Sequence, residues 1–377
     1  MATLSSLAVP PLSLHVTEFF SGIGGMRLAL QNALSDNPKY TLRTVTAYES
    51  NDVCNTCYAH NLEGVNSLGL GESRIIRKNI EQLKEADLLT SNVWTMSPPC
   101  QPFTKTKGSL EKGSEDARSK AFSNLMSILR SMSNPPKFIF LENVAPFNTS
   151  PVHTEFTSIL KSRGYTYKEF ELSPMHFSVP NNRTRFYISA ERTDGEGHRI
   201  GELITEPENP PPPYIDSNPV PKEDYNNYVP ICQASPLSQY ILPDSTLQLL
   251  YPDLSALLIP PSTLSKPFFK GMSIVGSSDC VTFCFTSSYG KTMHKSSGSL
   301  FARHVLSYKD INKSDDMSIE YQNAIRFFAP EELLKIFGFP ESFEYQPEIS
   351  LKRKYKLIGQ SVNIKVVEYI MNSILNE

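Results

Sequence analysis

Along the first half of the chain, short apolar runs alternate with segments whose apolar residues recur every three or four positions. Leu14 to Phe20 predicts a strand, which breaks at Ser21-Gly22-Ile23-Gly24-Gly25 and gives way to a helical pattern over Met26 to Ala33. Arg43 to Tyr48 predicts a second strand, ended by Glu49, with a helix to follow through Cys54, Tyr58 and Leu62. Ser91 to Met96 predicts a strand stopped by Pro98-Pro99, and Ala117 to Met132 a helix. Lys137 to Leu141 (KFIFL) is apolar throughout after its lysine, as in a strand buried on both faces of a parallel sheet. Phe156 to Arg163 is helical in period, Tyr165 to Leu172 alternates, and Arg185 to Ala190 is strand-like again. This alternation predicts an α/β class fold built on a doubly wound sheet.

The pattern then changes. Glu206 to Pro213 contains PENPPPP, which can be neither a helix nor an inner strand, because proline lacks the N–H that either would need. From there to about residue 325 the chain is rich in proline, serine and short irregular runs. Glu331 to Phe337 predicts a helix, and Ser361 to Leu375 an amphipathic C-terminal one. Asn66 to Ser73 and Lys309 to Met317 are expected to be exposed loops. The expected domains are a catalytic one from residues 1–190 plus 350–377 and a smaller, irregular one from residues 191–349.

Composition narrows the partners. A net charge of −3 over 377 residues excludes a histone-like polycation, though a local basic surface can still hold nucleic acid. No apolar stretch approaches the roughly 20 residues needed to span a bilayer, and the N-terminus lacks the basic leader of a signal peptide. The expectation is an intracellular protein, cytoplasmic or nuclear, with no membrane partner. The six cysteines are irregularly spaced, unlike a disulfide framework. Cys54-x-x-Cys57 lacks a second ligand pair at metal-binding spacing, so buried thiols are expected there and no metal.

Chemistry concentrates at predicted strand ends. Strand, glycine turn, helix, then an acid closing the next strand is a nucleotide-handling arrangement. The turn lacks the third, offset glycine of a dinucleotide fingerprint and the Lys-Ser/Thr of a phosphate loop, so a nucleoside without pyrophosphate suits it, S-adenosylmethionine foremost. A tight turn that binds nothing is the alternative. Cys100 follows a strand and two prolines that restrict its placement, as a covalent nucleophile requires. A buried structural thiol is the competing reading. Glu142 directly follows KFIFL, and Arg183 and Arg185 stand at period-2 spacing before a later strand.

SGIGGMRLAL, MSPPCQPF, FIFLENV, PNNRTRFYISAE, RFFAPEELLKIFGFP and KLIGQSVNI occur in the order of the sequence blocks of C5-cytosine methyltransferases, which this chain resembles nearly throughout, outside its middle region. Phe283-Cys284-Phe285-Thr286, followed by Tyr289-Gly290, resembles the Cys-Phe-Thr signature of the small eukaryotic homologues that methylate aspartate transfer RNA. The resemblance implies a Rossmann-like S-adenosylmethionine-dependent methyltransferase sheet with a target-recognition domain. It implies a methyl transfer from S-adenosyl-L-methionine to carbon 5 of a cytosine, with the anticodon loop of aspartate tRNA as target and duplex DNA as the alternative. A catalytically weak nucleic-acid-binding homologue is the remaining alternative, although no position of the Cys, Glu and Arg set is broken. By the same resemblance Cys100 is the nucleophile, Glu142 contacts the base, and Arg183 and Arg185 act on the thiol or the base carbonyl. Phe20, Ile23, Gly24, Gly25, Glu49, Asn79, Ile80, Ser97, Ser361 and Val362 match the cofactor positions. Asn79 replaces a frequent acid, and Gln360 stands where asparagine is usual. Lys105, Lys107 and Arg118 in the loop after the cysteine, Cys284, Phe285 and Thr286, and Lys352 and Arg353 are candidates for nucleic-acid contact. A monomer is assumed.

Overall fold

The computed structural model describes residues 10–63, 72–99, 120–193, 200–208, 234–303 and 324–377. Two compact units share the chain: residues 1–169, 187–202 and 367–377 form one, and residues 170–186 and 203–366 the other.

The first unit is built on an 8-stranded sheet. In chain order its elements begin β1 (Leu12–Phe19), α1 (Gly25–Leu34), β2 (Tyr40–Tyr48), α2 (Asp52–Leu62), β3 (Glu72–Ile76) and β4 (Val93–Met96). They continue with α3 (Lys120–Ser131), β5 (Phe138–Val144), α4 (Pro151–Ser162), β6 (Tyr165–Leu172), β7 (Arg185–Arg192) and β8 (Ile200–Ile204), the last three strands reaching into the second unit. The strand order is β3-β2-β1-β4-β5-β7-β6-β8, and the pairs among β3, β2, β1, β4 and β5 are parallel. The direction of winding reverses between β1 and β4, the kind of switch point at which open α/β sheets bind ligands.

Burial explains the elements. In β5 the six residues from Phe138 to Asn143 are all buried, as a central strand covered on both faces demands. Helix α3 buries Phe122, Leu125, Met126 and Leu129, an i, i+3, i+4, i+7 stripe with polar residues opposite. The only tryptophan, Trp94 on β4, is fully buried and meets the Phe19 ring edge-on at 5.2 Å. Asn51 caps α2 by accepting from the amides of Val53 and Cys54. Cys54 and Cys57 lie buried on that helix.

Two expectations need correction. Residues 72 and 73 were expected in a loop; both belong to edge strand β3, where Ser73 is buried and pairs with Val45 of β2. A five-residue edge strand with only two β-branched residues, Ile75 and Ile76, carries too little apolar signal to stand out. The C-terminal helix starts at Ile364 and not at Ser361, because a separate helix ends at Gly359 and the chain turns between them.

The second unit holds α5 (Asp244–Leu250), α6 (Pro261–Leu264), β9 (Ile274–Val275), β10 (Leu300–Ala302), β11 (Ile325–Arg326), α7 (Pro330–Phe337), α8 (Leu351–Gly359) and the start of α9 (Ile364–Leu375). Its three-stranded sheet runs β11-β10-β9 over a core that includes Ile259, Leu264, Phe269, Met272, Ile274, Leu300 and Ile325. Helix α7 opens with Pro330 and closes on Gly338 at φ 83°, a left-handed position that suits glycine. Gly359 is required for a different reason: a Cβ there would lie 2.3 Å from the Thr286 carbonyl carbon. The last turn of α8 therefore packs directly on the backbone of the Cys284–Thr286 segment. Residues 209–213 of the proline run and the expected loop Lys309 to Met317 lie outside the described residues. No helix among the described residues is long and apolar enough to cross a membrane.

Candidate active site

The register of the first unit places most of the expected residues along one line. Tyr48 pairs with Ile76, Phe19 with Tyr48, Phe19 with Met96, and Met96 with Leu141, forming one rung across β3-β2-β1-β4-β5. One residue further along stand Glu49, Phe20, Ser97 and Glu142. Parallel strands lie about 4.8 Å apart, so Phe20 and Glu142 are separated by roughly two strand spacings across the sheet edge, and Glu49 and Glu142 by about three. The row straddles the switch point between β1 and β4.

The turn after β1 is folded tightly. Phe20, Gly22 and Gly24 have φ of 55°, 54° and 91°, all left-handed. For phenylalanine that conformation costs on the order of 1–3 kcal/mol, a strain that collects at functional turns. Gly24 also has no room for a side chain, since a Cβ would come within 2.1 Å of Leu62 Cδ1. Above Gly22, by contrast, a Cβ would meet nothing within 4 Å. The Glu49 carboxylate is held across this turn: Oε2 accepts from the Gly22 amide at 3.2 Å and Oε1 from the Asn51 amide at 2.8 Å. A carboxylate has about four acceptor positions, so capacity remains for a ligand's hydroxyls. Ser21 Oγ is buried with no hydrogen-bond partner among the described residues, and α1 begins at Gly25. Open space over a glycine, an unused hydroxyl, a pre-oriented carboxylate and a helix start suit a nucleoside. Ile23 and Gly25 are buried in the turn's underside; Asn79 is exposed and caps a short turn with its side chain, and Ile80 is buried behind it.

At the other end of the row, Glu142 is 8% exposed. Its neighbour Asn143 donates from Nδ2 to the Pro98 carbonyl at 3.3 Å, while its Oδ1 accepts from the Val144 amide at 2.9 Å. The asparagine thus ties the end of β5 to the proline pair that leads into Cys100. Cys100 itself, with Lys105, Lys107 and Arg118, lies outside the described residues.

Beneath the glycine turn is a buried polar cluster that the sequence reading missed. Glu18, fully buried on β1, accepts from Tyr58 Oη at 2.9 Å and from the Arg27 amide at 3.2 Å. Burial pushes its pKa up to about 7, against the opposing pull of the Tyr58 hydrogen bond and the Arg27 charge. A carboxylate inside a strand-like run, LHVTEFF, was the signal available.

In the second unit, Arg183 is 4% exposed, with both terminal guanidinium nitrogens hydrogen-bonded. Its Nη1 donates to Phe285 O at 3.0 Å and contacts Cys284 Sγ at 3.4 Å; its Nη2 donates to Ser361 O at 2.7 Å and Gly359 O at 3.4 Å. The guanidinium also lies 5.2 Å from the centre of the Phe337 ring. It ties together the Cys284–Thr286 segment and the chain leaving α8. Arg185 is partly exposed, with Nη2 3.7 Å from the same sulfur. Burial would raise the Cys284 thiol, but the two arginines outweigh it and its pKa falls below the ordinary value. Phe285 is fully buried against Tyr289 and Phe328, which removes its ring from any surface. Thr286 is half-buried and its hydroxyl accepts from the Ser288 amide at 3.3 Å. Val362 is buried and Ser361 half-buried. On α8, Lys352, Arg353 and Lys356 are exposed, whereas Lys354 is half-buried between Glu331 and the rings of Tyr251 and Tyr345.

Comparison with known proteins agrees with this geometry. The profile of the C-5 cytosine-specific DNA methylase family matches residues 14–376. A protein of Dictyostelium discoideum named DNA (cytosine-5)-methyltransferase is 29% identical, over 96% of this chain and 94% of that one. The tRNA (cytosine(38)-C(5))-methyltransferase of Bos taurus is 28% identical, over 94% of this chain and 97% of its own. The crystal structure of the S. pombe Dnmt2 methyltransferase superposes with a TM-score of 0.71 at 26% identity, covering 97% of this chain and 98% of that one. With a glycine turn, a facing carboxylate and the proline pair before Cys100 on one sheet edge, and a family profile that matches residues 14–376, the chain belongs to the C-5 cytosine-specific DNA methylases and is a cytosine-5 methyltransferase.

Proposed function

We propose that this methyltransferase acts on RNA, taking the methyl group from S-adenosyl-L-methionine and placing it on carbon 5 of a cytosine in the anticodon loop of aspartate tRNA. The observation that carries the reading is the row one residue past a common rung, with Glu49 and Phe20 at one end and Glu142 at the other. It supports a nucleoside cofactor beside β1 and β2 and a base beside β5. Glu49 accepts hydrogen bonds from ribose hydroxyls, Phe20 covers the adenosine, and the turn amides approach it closely. The cofactor supplies an electrophilic methyl on sulfur.

Carbon 5 of cytosine is a weak nucleophile, and the chain's own groups must activate it. The Cys100 thiolate adds to carbon 6, forming an S–C6 bond and moving the ring's π electrons toward carbon 5. Glu142 hydrogen-bonds N3 and the exocyclic amine and favours protonation at N3 as that charge develops. Carbon 5, so activated, would accept the methyl group that bound S-adenosylmethionine would supply, the S–CH₃ electron pair staying with that sulfur. A base or water removes the proton from carbon 5, the C5–C6 double bond returns, and the Cys100 thiolate leaves. Arg185 holds the base carbonyl oxygen, and Arg183, locked in its own hydrogen bonds, positions the segment beside it. An unpaired loop base enters such a pocket at less cost than a base stacked in a duplex.

RNA as substrate draws support from the relatives named tRNA (cytosine(38)-C(5))-methyltransferase; the Dictyostelium relative, named for DNA, makes duplex DNA the necessary control. Purified protein with radiolabelled S-adenosylmethionine should label transfer RNA and not duplex DNA. It should form a covalent adduct with 5-fluorocytosine-containing RNA, and Cys100→Ala should abolish both signals while still binding cofactor. Labelling of DNA alone, or full turnover in Cys100→Ala, would refute the proposal.

A further inference from the structure

Asn124, on the second turn of α3, belongs neither to the apolar stripe of its helix nor to the site residues described above. Its Nδ2 donates to the carbonyls of Ile80 at 2.9 Å and Leu83 at 3.0 Å. A carboxamide NH₂ has two hydrogens, and both reach the short turn that follows β3. That turn is closed on its own backbone, Gln82 N donating to Asn79 O at 2.9 Å and Leu83 N to Ile80 O at 3.2 Å. The side chains of Ile80 and Leu83 are buried. Asn124 thus clamps both ends of one turn with one group.

Topology gives the clamp its meaning. β3 ends at Ile76, opposite Tyr48 of β2, so the turn over residues 79–83 stands at the same sheet edge as Glu49. Helix α3 joins β4 to β5, and in the strand order β2 and β1 lie between β3 and β4. A bond from α3 to the β3 turn therefore reaches past both strands whose ends carry Glu49 and the glycine turn. The same segment is moored a second time: Glu85 Oε1 accepts from the Ser133 amide and hydroxyl, each at 2.7 Å, just beyond the other end of α3. Asn124 and Ser133 are separated by roughly 13 Å along the helix direction, so the second mooring lies well away from the ligand edge.

We propose that Asn124 is a positioning residue for the cofactor: its carboxamide holds the turn over residues 79–83 as the outer wall of the nucleoside site, on the β3 side of Glu49. This deepens, and rests on, the reading of that edge as the S-adenosylmethionine site. A wall held in place before the ligand arrives spares binding the cost of ordering it. The contribution therefore belongs to cofactor affinity and not to the methyl-transfer step.

The test uses the full chain and S-adenosylhomocysteine, with binding followed by calorimetry. Asn124→Ala should raise Kd by roughly 5- to 100-fold, the factor that two neutral hydrogen bonds contribute to a held conformation, with kcat at saturating S-adenosylmethionine unchanged. Hydrogen exchange should accelerate at the amides of Gln82 and Leu83 and not at Ile139 in β5, which reports the sheet. Asn124→Asp supplies a second signature, because a carboxylate repels the two carbonyls whereas a protonated acid donates to one of them. The ratio of its Kd to that of wild type should fall as pH drops from about 8 to about 5, while the ratio for Asn124→Ala stays flat. Lys78, Glu81, Lys84, Glu85 and Asp87 on the clamped segment are common to all these proteins, so the ratio cancels them. Ser133→Ala, which loosens the distant mooring, should leave Kd unchanged. If Asn124→Ala binds like wild type, or Ser133→Ala is impaired as much, the clamp is refuted while the cofactor reading stands. A flat ratio for Asn124→Asp would show that the two hydrogen bonds do not carry the effect, and the inference falls. If wild type does not bind S-adenosylhomocysteine, the cofactor reading fails and takes this inference with it.

Discussion

Substituting Glu332 with glutamine tests the energetic centre of the second unit. Glu332 on α7 is 0% exposed and its partner Arg326 on β11 is 2% exposed. Both terminal guanidinium nitrogens pair with the carboxylate: Nη2 with Oε1 and Nη1 with Oε2, each at 2.7 Å. Two backbone amides complete the shell, Leu242 N on Oε1 at 2.9 Å and Ala329 N on Oε2 at 2.8 Å. Arg326 also donates to Phe327 O at 2.9 Å and lies 4.7 Å from the centre of the Phe301 ring. A pair whose carboxylate is so surrounded by donors offsets its desolvation only while both charges remain. In Glu332→Gln the buried cation persists without a counter-charge, and one amide NH₂ is turned toward donors. Breaking a buried pair from one side costs about 3–5 kcal/mol, equivalent to roughly a hundred- to several-thousand-fold in the opening equilibrium. Tryptophan fluorescence would not report it, because Trp94 belongs to the first unit. Native-state hydrogen exchange at the amides of Leu300, Ala302 and Ile325 reads the second unit directly. The double substitution Arg326→Met with Glu332→Leu should recover most of the loss, since it removes both charges and keeps apolar volume. A Glu332→Gln protein within about 1 kcal/mol of wild type, or a double variant no better than the single, would refute the reasoning.

Three further outcomes are expected. Glu142→Gln should lower single-turnover methylation by about a hundredfold or more while RNA binding persists, because the amide cannot supply the proton that N3 takes up; rapid-quench kinetics check this. Glu49→Ala should weaken S-adenosylmethionine binding, measured by calorimetry, more than it slows turnover at saturating cofactor; unchanged affinity would unseat its assignment to the ribose. Glu18, raised from 4.5 to about 7, ionises in the unfolded chain before it does in the folded one. Its contribution to stability is therefore complete below pH 4.5, declines as pH rises to about 7, and amounts to about 3 kcal/mol over that window. Glu18→Gln should flatten that slope in urea titrations followed by Trp94 fluorescence, and an unaltered slope would show that Glu18 does not carry it.

Strands buried on both faces announce themselves, which is why KFIFL and the β1 run were legible and why the α/β alternation followed. Boundaries drifted where local signal was thin, as at β3 and before α9. Turn chemistry was legible for a related reason: glycines at left-handed positions and prolines before Cys100 constrain backbone whatever the rest of the chain does. Side-chain roles were less so. Arg183 and Arg185 read alike as two cations two residues apart, yet one is tied to the carbonyls of Phe285, Gly359 and Ser361 and the other is partly exposed. Phe283 and Phe285 likewise differ only in place, one ring open and the other at 0% exposure.

Local sequence by itself determined the order of elements, the glycine turn, the acids near the ends of two strands and the family to which those blocks belong, because periodicity and backbone restriction act over a few residues. Tertiary structure alone decided that Glu49, Phe20, Ser97 and Glu142 share one row, that Asn143 anchors the proline pair, and that Arg183 ties Phe285 to Gly359 and Ser361. Those facts depend on the register of parallel strands and on contacts between distant segments, which no short window of sequence encodes.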